Sequence, residues 1–249
     1  MGSIDLLGLV VLGLFIGLLL IFLALGERRR ALFRPIQGYE ALDRAIERAV
    51  EAGERVHLSL GTGSLIGTDS APALAGLAIL GHIARMTTLS DKPMVVSTGD
   101  GAMAILAQDS LRSVYRAAGA LDRFGPNRAR MLGPTPYSYI ASLPILLASE
   151  DVSAHVLAGS FGSEGALAAD FCERANLFVL AGTDDAQSQA LLYATAGYPL
   201  IGEEIFAAGA YLQKDPSHRA SLQVQDVVRF ILIGGILLGG LLRLLGIGL

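Results

Sequence analysis

The sequence predicts an α/β domain: a Rossmann-like or flavodoxin-like parallel sheet of about five strands with helices on both faces, flanked by two transmembrane helices. Three observations predict it. Short β-type runs alternate with helical stretches, the pattern of βαβ units. Each β-type run ends in Gly with a hydroxyl or carboxylate residue close behind. Both outer segments are apolar almost without interruption.

Residues 4–26 are apolar apart from Asp5, and a bilayer core about 30 Å thick needs roughly 20 helical residues. No positive charge precedes the run, and it exceeds the roughly 7–15 residues of a signal-peptide core, so an uncleaved anchor is expected. Arg28, Arg29, Arg30 and Arg34 follow it. Positive charge stays cytoplasmic, which places the N-terminus outside and the domain, residues 34–220, in the cytoplasm.

Within that domain, 38–53 is an amphipathic helix with Leu42, Ile46, Ala49 and Val50 as its apolar stripe. A strand at 55–60 follows. The pattern repeats as helix 71–88 and strand 94–98, helix 102–118 and strand 128–132, helix 137–149 and strand 152–158, then helix 165–175 and strand 177–181. A helix at 185–194 comes next. Residues 201–211 close the domain, with Glu203 and Glu204 suited to a helix N-terminus after Pro199.

The second span is expected at 228–249, entered past Lys214, Arg219 and Arg229. Arg243 lies near its far end, where it can snorkel to headgroups. Both termini are then outside the cytoplasmic membrane. Gly13 with Gly17, and Gly235 with Gly239, carry the four-residue spacing that lets helix backbones approach. Glycine is common in membrane helices in any case. The expected partners are the bilayer and further copies of the chain, as a homo-oligomer.

The net charge of −4, and the lack of a basic stripe interleaved with aromatics, exclude a nucleic-acid footprint. The single Cys172 forms no internal disulfide, in keeping with a reducing compartment. Its helical, apolar neighbours predict a buried core thiol.

The chemistry-bearing residues follow the strands. Ligands bind outside the carboxyl ends of parallel strands, so Gly61, Thr62, Gly63, Ser64, Thr98, Asp100, Ser160, Ser163, Glu164, Thr183 and Asp184 are the candidate binding residues for a small polar ligand. Turn and cap chemistry alone also favours these residue types. The loops hold Asp69, Asp100, Glu164, Asp184 and Asp185 but no Lys or Arg. Asp100, Glu164 and Asp184 are therefore candidate Mg²⁺ ligands, although acidic residues also suit helix N-termini. Gly61-Thr62-Gly63-Ser64-Leu65-Ile66-Gly67 approximates a dinucleotide fingerprint, one residue too long, with Asp100 as the ribose-binding acid. Mg²⁺ and a nucleotide are thus the cofactors considered. His57, His82, His155 and His218 show no metal-ligand spacing, and Ser160 lies in no nucleophile elbow.

The segments His57-Leu58-Ser59-Leu60-Gly61-Thr62-Gly63, Ala107-Gln108-Asp109-Ser110, Val156-Leu157-Ala158-Gly159-Ser160-Phe161-Gly162 and Tyr198 through Tyr211 are distinctive together. The chain resembles an uncharacterised prokaryotic membrane-anchored family, a domain of unknown function with an N-terminal span, an α/β domain and a C-terminal span. That resemblance implies the layout and no activity. The expectation is an oligomeric scaffold or small-polar-ligand-binding module. The alternative is a Mg-dependent enzyme acting on a nucleotide or sugar derivative at the strand-end loops.

Overall fold

The structure, a computed structural model, describes residues 6–25, 33–67, 70–213 and 215–244. It divides into an α/β unit, residues 35–213, and a unit made of the flanking segments. Arg28, Arg29, Arg30, Asp5, Asp69 and Lys214 lie outside the described residues. In chain order the elements are α1 (Leu6–Leu25), α2 (Gln37–Ala52), β1 (Arg55–Gly61), α3 (Ser70–Thr87), β2 (Val95–Thr98), α4 (Gly101–Ala117), β3 (Ala129–Met131), α5 (Pro136–Ser149), β4 (Val152–Ser160), α6 (Glu164–Arg174), β5 (Phe178–Gly182), α7 (Ala186–Thr195), β6 (Tyr198–Leu200), α8 (Ala208–Tyr211) and α9 (Pro216–Leu244).

The sheet is parallel throughout, in the order β3-β2-β1-β4-β5-β6. This is the Rossmann order and differs from the flavodoxin order, which resolves the two alternatives. Six strands form where five were expected. The sixth is three residues long and contains Pro199, features that argue against a strand in sequence. Proline is tolerated there because β6 is an edge strand. The closing segment forms a 3₁₀ stretch, Gly202–Ala207, with Glu203 and Glu204 in its first turn, followed by the short α8.

Helices α2, α3 and α4 pack on one face and α5, α6 and α7 on the other. Leu42, Ile46 and Ala49 of α2 are buried as its periodicity requires, and Gly53 ends the helix in the left-handed conformation, φ 68°. Thr135 and Ser138 form a reciprocal capping box ahead of α5, with Pro136 in its first turn. The second face is filled by Leu143, Leu157, Phe161, Ala169, Cys172 and Val179. Burial pushes the Cys172 thiol up to about 12, as an inert core thiol should behave. Tyr39, in the first turn of α2, donates its hydroxyl to the Glu204 carbonyl at 2.6 Å and tilts against Tyr211. The two ends of the α/β unit therefore meet beyond the carboxyl end of β6.

Among the described residues one helix, not two, is long and apolar enough to cross a membrane: α9, whose most apolar stretch is not buried. The apolar stretch of α1 with described side chains, Gly8–Ala24, falls short. The domain limit expected at residue 220 falls inside α9, which runs unbroken from Pro216. α1 and α9 pack on each other. A methyl group added at Gly13, Gly17, Gly235 or Gly239 would meet no atom within 4 Å. Within one chain, then, the glycine faces are not where these helices touch.

Candidate functional site

The order of the sheet reverses between β1 and β4, and a parallel sheet opens its ligand crevice at that point. The loops that meet there are tied by backbone bonds. Thr62 N–H donates to the Ser160 carbonyl at 3.3 Å, and Gly99 N–H donates to the Gly61 carbonyl at 2.8 Å. The Thr98 hydroxyl also donates to Gly61 O, at 3.3 Å, and accepts from Asp100 N–H at 3.2 Å. Gly61 has φ 73°, and a Cβ there would overlap the Ser160 carbonyl. A Cβ on Gly159 would overlap the Leu60 carbonyl in the same way. These glycines are required by close backbone approach, which is one of the two reasons such loops carry them.

Gly61, Thr62, Thr98 and Ser160 are thus brought together. Gly63 is buried beside them and Ser64 is half-buried, its hydroxyl accepting from Ile66 N–H at 3.4 Å. Thr183 is buried one strand further on, where its hydroxyl donates to Phe161 O at 3.0 Å and accepts from Phe161 N–H at 3.2 Å.

The acidic residues behave differently. Asp100 caps α4, accepting from Met103 N–H at 2.8 Å. Glu164 is buried and accepts from Gly162 N–H at 2.8 Å. Asp184 and Ser163 are exposed. Among the described residues no three His, Cys, Asp or Glu side chains converge to hold a metal ion. The fingerprint reading also changes. Gly67 stands in open space with φ 113°, while Gly76, well inside α3, makes the close approach to β4 against the Ala158 carbonyl. α3 is described from Ser70 onward, and residues 61–67 ahead of it are not helical.

Beneath the crevice lies a feature that local spacing did not reveal. His57, Ser59, Ser97, His155 and Tyr139 are all fully buried. His57 and His155 occupy neighbouring register positions on β1 and β4. Their Nδ1 atoms are 2.8 Å apart and their rings stack with centroids at 4.8 Å. His57 Nε2 bonds the Ser97 hydroxyl at 2.9 Å, Ser97 bonds the Tyr139 hydroxyl at 2.6 Å, and Tyr139 bonds Ser59. Burial holds His155 at about 3. Burial first, then His155 and Arg130, hold His57 well below the ordinary imidazole value. Both rings are therefore neutral at pH 7, and between two neutral Nδ1 atoms one donates and the other accepts. Burial pushes Tyr139 up to about 12, against the hydrogen bonds from Ser59, Ser97 and the Gly61 backbone. The ladder thus runs from the strand end at Gly61 to His155, whose Nε2 is buried with no partner among the described residues. Four of its five members lie on strands, three of them between apolar neighbours, which reads as pattern and conceals the pairing across strands.

An open groove of about 410 Å³ lies at the opposite, amino end of β4 and β5, between Arg48 and Ala49 of α2 and Ala154 and Phe178. It shares no residue with the crevice.

Neither the curated proteins nor the solved structures include a match to this chain. The model of one family matches residues 3–248, nearly the whole sequence. The chain therefore belongs to the family described as Domain of unknown function (DUF6754).

Proposed function

We propose that this chain is a membrane-anchored, cytoplasmic α/β module that binds a small polar ligand in the crevice between the ends of β1 and β4. The observation that carries the reading is the reversal of strand order at that point, flanked by Gly61, Thr62, Gly63, Ser64 and Ser160. Half-buried hydroxyls and backbone groups there suit hydroxyl or amide recognition, and the loops offer no cation to an anion. The membrane reading rests on α9 and on the apolar α1, and the cytoplasmic side rests on the arginines that follow α1 in sequence. Self-association through Gly13, Gly17, Gly235 and Gly239 is part of the proposal, because those faces are open within one chain. The Mg-dependent alternative rests on Asp100, Glu164 and Asp184. Two of these carboxylates already serve backbone N–H groups.

A thermal-shift screen of the detergent-solubilised chain with nucleosides, nucleotides and sugars, with and without Mg²⁺, tests the reading. A ligand at about 100 times its Kd adds about 2.7 kcal/mol of stability. A Ser64→Tyr variant, which puts a large ring at the half-buried position that follows Gly63, should abolish that shift. If no compound stabilises the wild type, or Ser64→Tyr responds equally, the crevice is not the site.

A further inference from the structure

We propose a second site, for a phosphate-type oxyanion, built from Tyr115, Arg128, Arg123 and Arg55 at the amino end of the sheet. Arg55 opens β1, Arg128 directly precedes β3, and Arg123 lies in the 3₁₀ turn Leu121–Arg123 between α4 and β3. Tyr115 sits near the end of α4, which descends to the same edge of the sheet. This places the cluster at the pole of the domain away from the crevice.

The Tyr115 side chain is 1% exposed, and its hydroxyl is buried with no hydrogen-bond partner among the described residues. The Nε of Arg128 is buried and unpartnered as well. The Arg128 guanidinium lies over the Tyr115 ring, 6.0 Å from its centroid, and Phe124 meets that ring edge-on at 5.6 Å. Arg123, beside Phe124, and Arg55, at the start of β1, stand at the same end of the sheet, where their guanidiniums donate to the Leu89 and Pro93 carbonyls at 3.0 and 3.3 Å. Two hydrogen-bond donors are therefore held out of water without an acceptor, on stacked side chains at the end of the sheet that also carries Arg123 and Arg55. What such a pair lacks is an acceptor with negative charge.

The neighbouring carboxylates leave that demand in place. Glu150 lies 3.4 Å from Arg55 and also pairs with Arg130. Asp91 is 3.9 Å from Arg123 and fully exposed. Arg128 makes no ion pair among the described residues. Guanidinium forks match phosphate oxygens in pairs, and a tyrosine hydroxyl adds a third donor. The phosphate comes from a soluble phosphorylated compound or from a lipid headgroup.

The test uses the full chain in nanodiscs. In phosphatidylcholine discs, inorganic phosphate at constant ionic strength should raise the thermal transition saturably. In discs containing phosphatidylglycerol, a rise without added phosphate assigns the headgroup as the source. Arg128→Gln should weaken the responding arm at least roughly ten-fold, the loss of one charge-assisted hydrogen bond. Tyr115→Phe keeps the ring and the cation–π contact and removes only the hydroxyl. It should weaken binding several-fold while leaving the unliganded transition unchanged or raised. Arg48→Gln, on exposed α2 surface, should respond as wild type. A wild type with no saturable shift in either arm overturns the proposal, as does an equal response from Tyr115→Phe.

Discussion

The Nδ1 atoms of His57 and His155 face each other at 2.8 Å inside the sheet, with neither ring reaching solvent. Two neutral imidazoles in a parallel sheet, linked through Ser97 to Tyr139, give the domain a defined sensitivity to acid.

The sign follows from burial. In the unfolded chain both rings take up protons below about 6.5. In the folded chain both stay neutral well below that, His155 down to about 3. Over that window the unfolded state binds more protons, so stability falls as pH falls. The expected slope is about 1.4 kcal/mol per pH unit for each ring. Denaturation of the wild type from pH 7.5 to 5 measures it, and His155→Gln should flatten the curve. A wild-type stability independent of pH between about 6.5 and 5 would contradict the buried neutral pair.

Tyr139→Phe removes the hydroxyl shared by Ser59 and Ser97 and keeps the ring. Two buried serines lose a partner, so about 1–3 kcal/mol of stability should be lost. Equilibrium unfolding in urea reads this as a lower midpoint with an unchanged slope.

Two glycines with similar φ should respond very differently to alanine. Gly53 has φ 68° and open space, and Gly53→Ala should cost about 1 kcal/mol. Gly61 has φ 73° and the Ser160 carbonyl where a Cβ would go. Gly61→Ala should lower the thermal transition severalfold more than Gly53→Ala, or prevent folding.

Gly235→Leu with Gly239→Leu should leave the fold of the α/β unit intact, because no atom lies within 4 Å of either added Cβ. Cross-linking in the membrane should then yield fewer multimers than the wild type. An unchanged pattern removes these glycines from any self-association.

The parallel sheet was legible because strand runs such as Val95–Thr98, largely β-branched, and Phe178–Gly182, apolar throughout, are short and end at a glycine. Tyr198–Leu200 was not, since its pairing depends on an edge position that only the assembled sheet defines. Gly61 and Thr62 were legible as a strand end, and the fold joins them to Ser160. Asp100 and Glu164 were legible as acids near helix starts, but whether such an acid faces a ligand or its own backbone is decided within one turn of chain. His57 and His155 stand 98 residues apart. Their pairing is set by the adjacency of β1 and β4, which no local motif encodes.

The most direct test of the ligand-binding reading is amide hydrogen exchange across the same panel of nucleosides, nucleotides and sugars, with and without Mg²⁺. The expected result is slowed exchange in 61–67 and 160–165 together, with no change in 174–178 at the opposite end of the sheet. Protection elsewhere, or unchanged exchange in both loops with every compound, would contradict it.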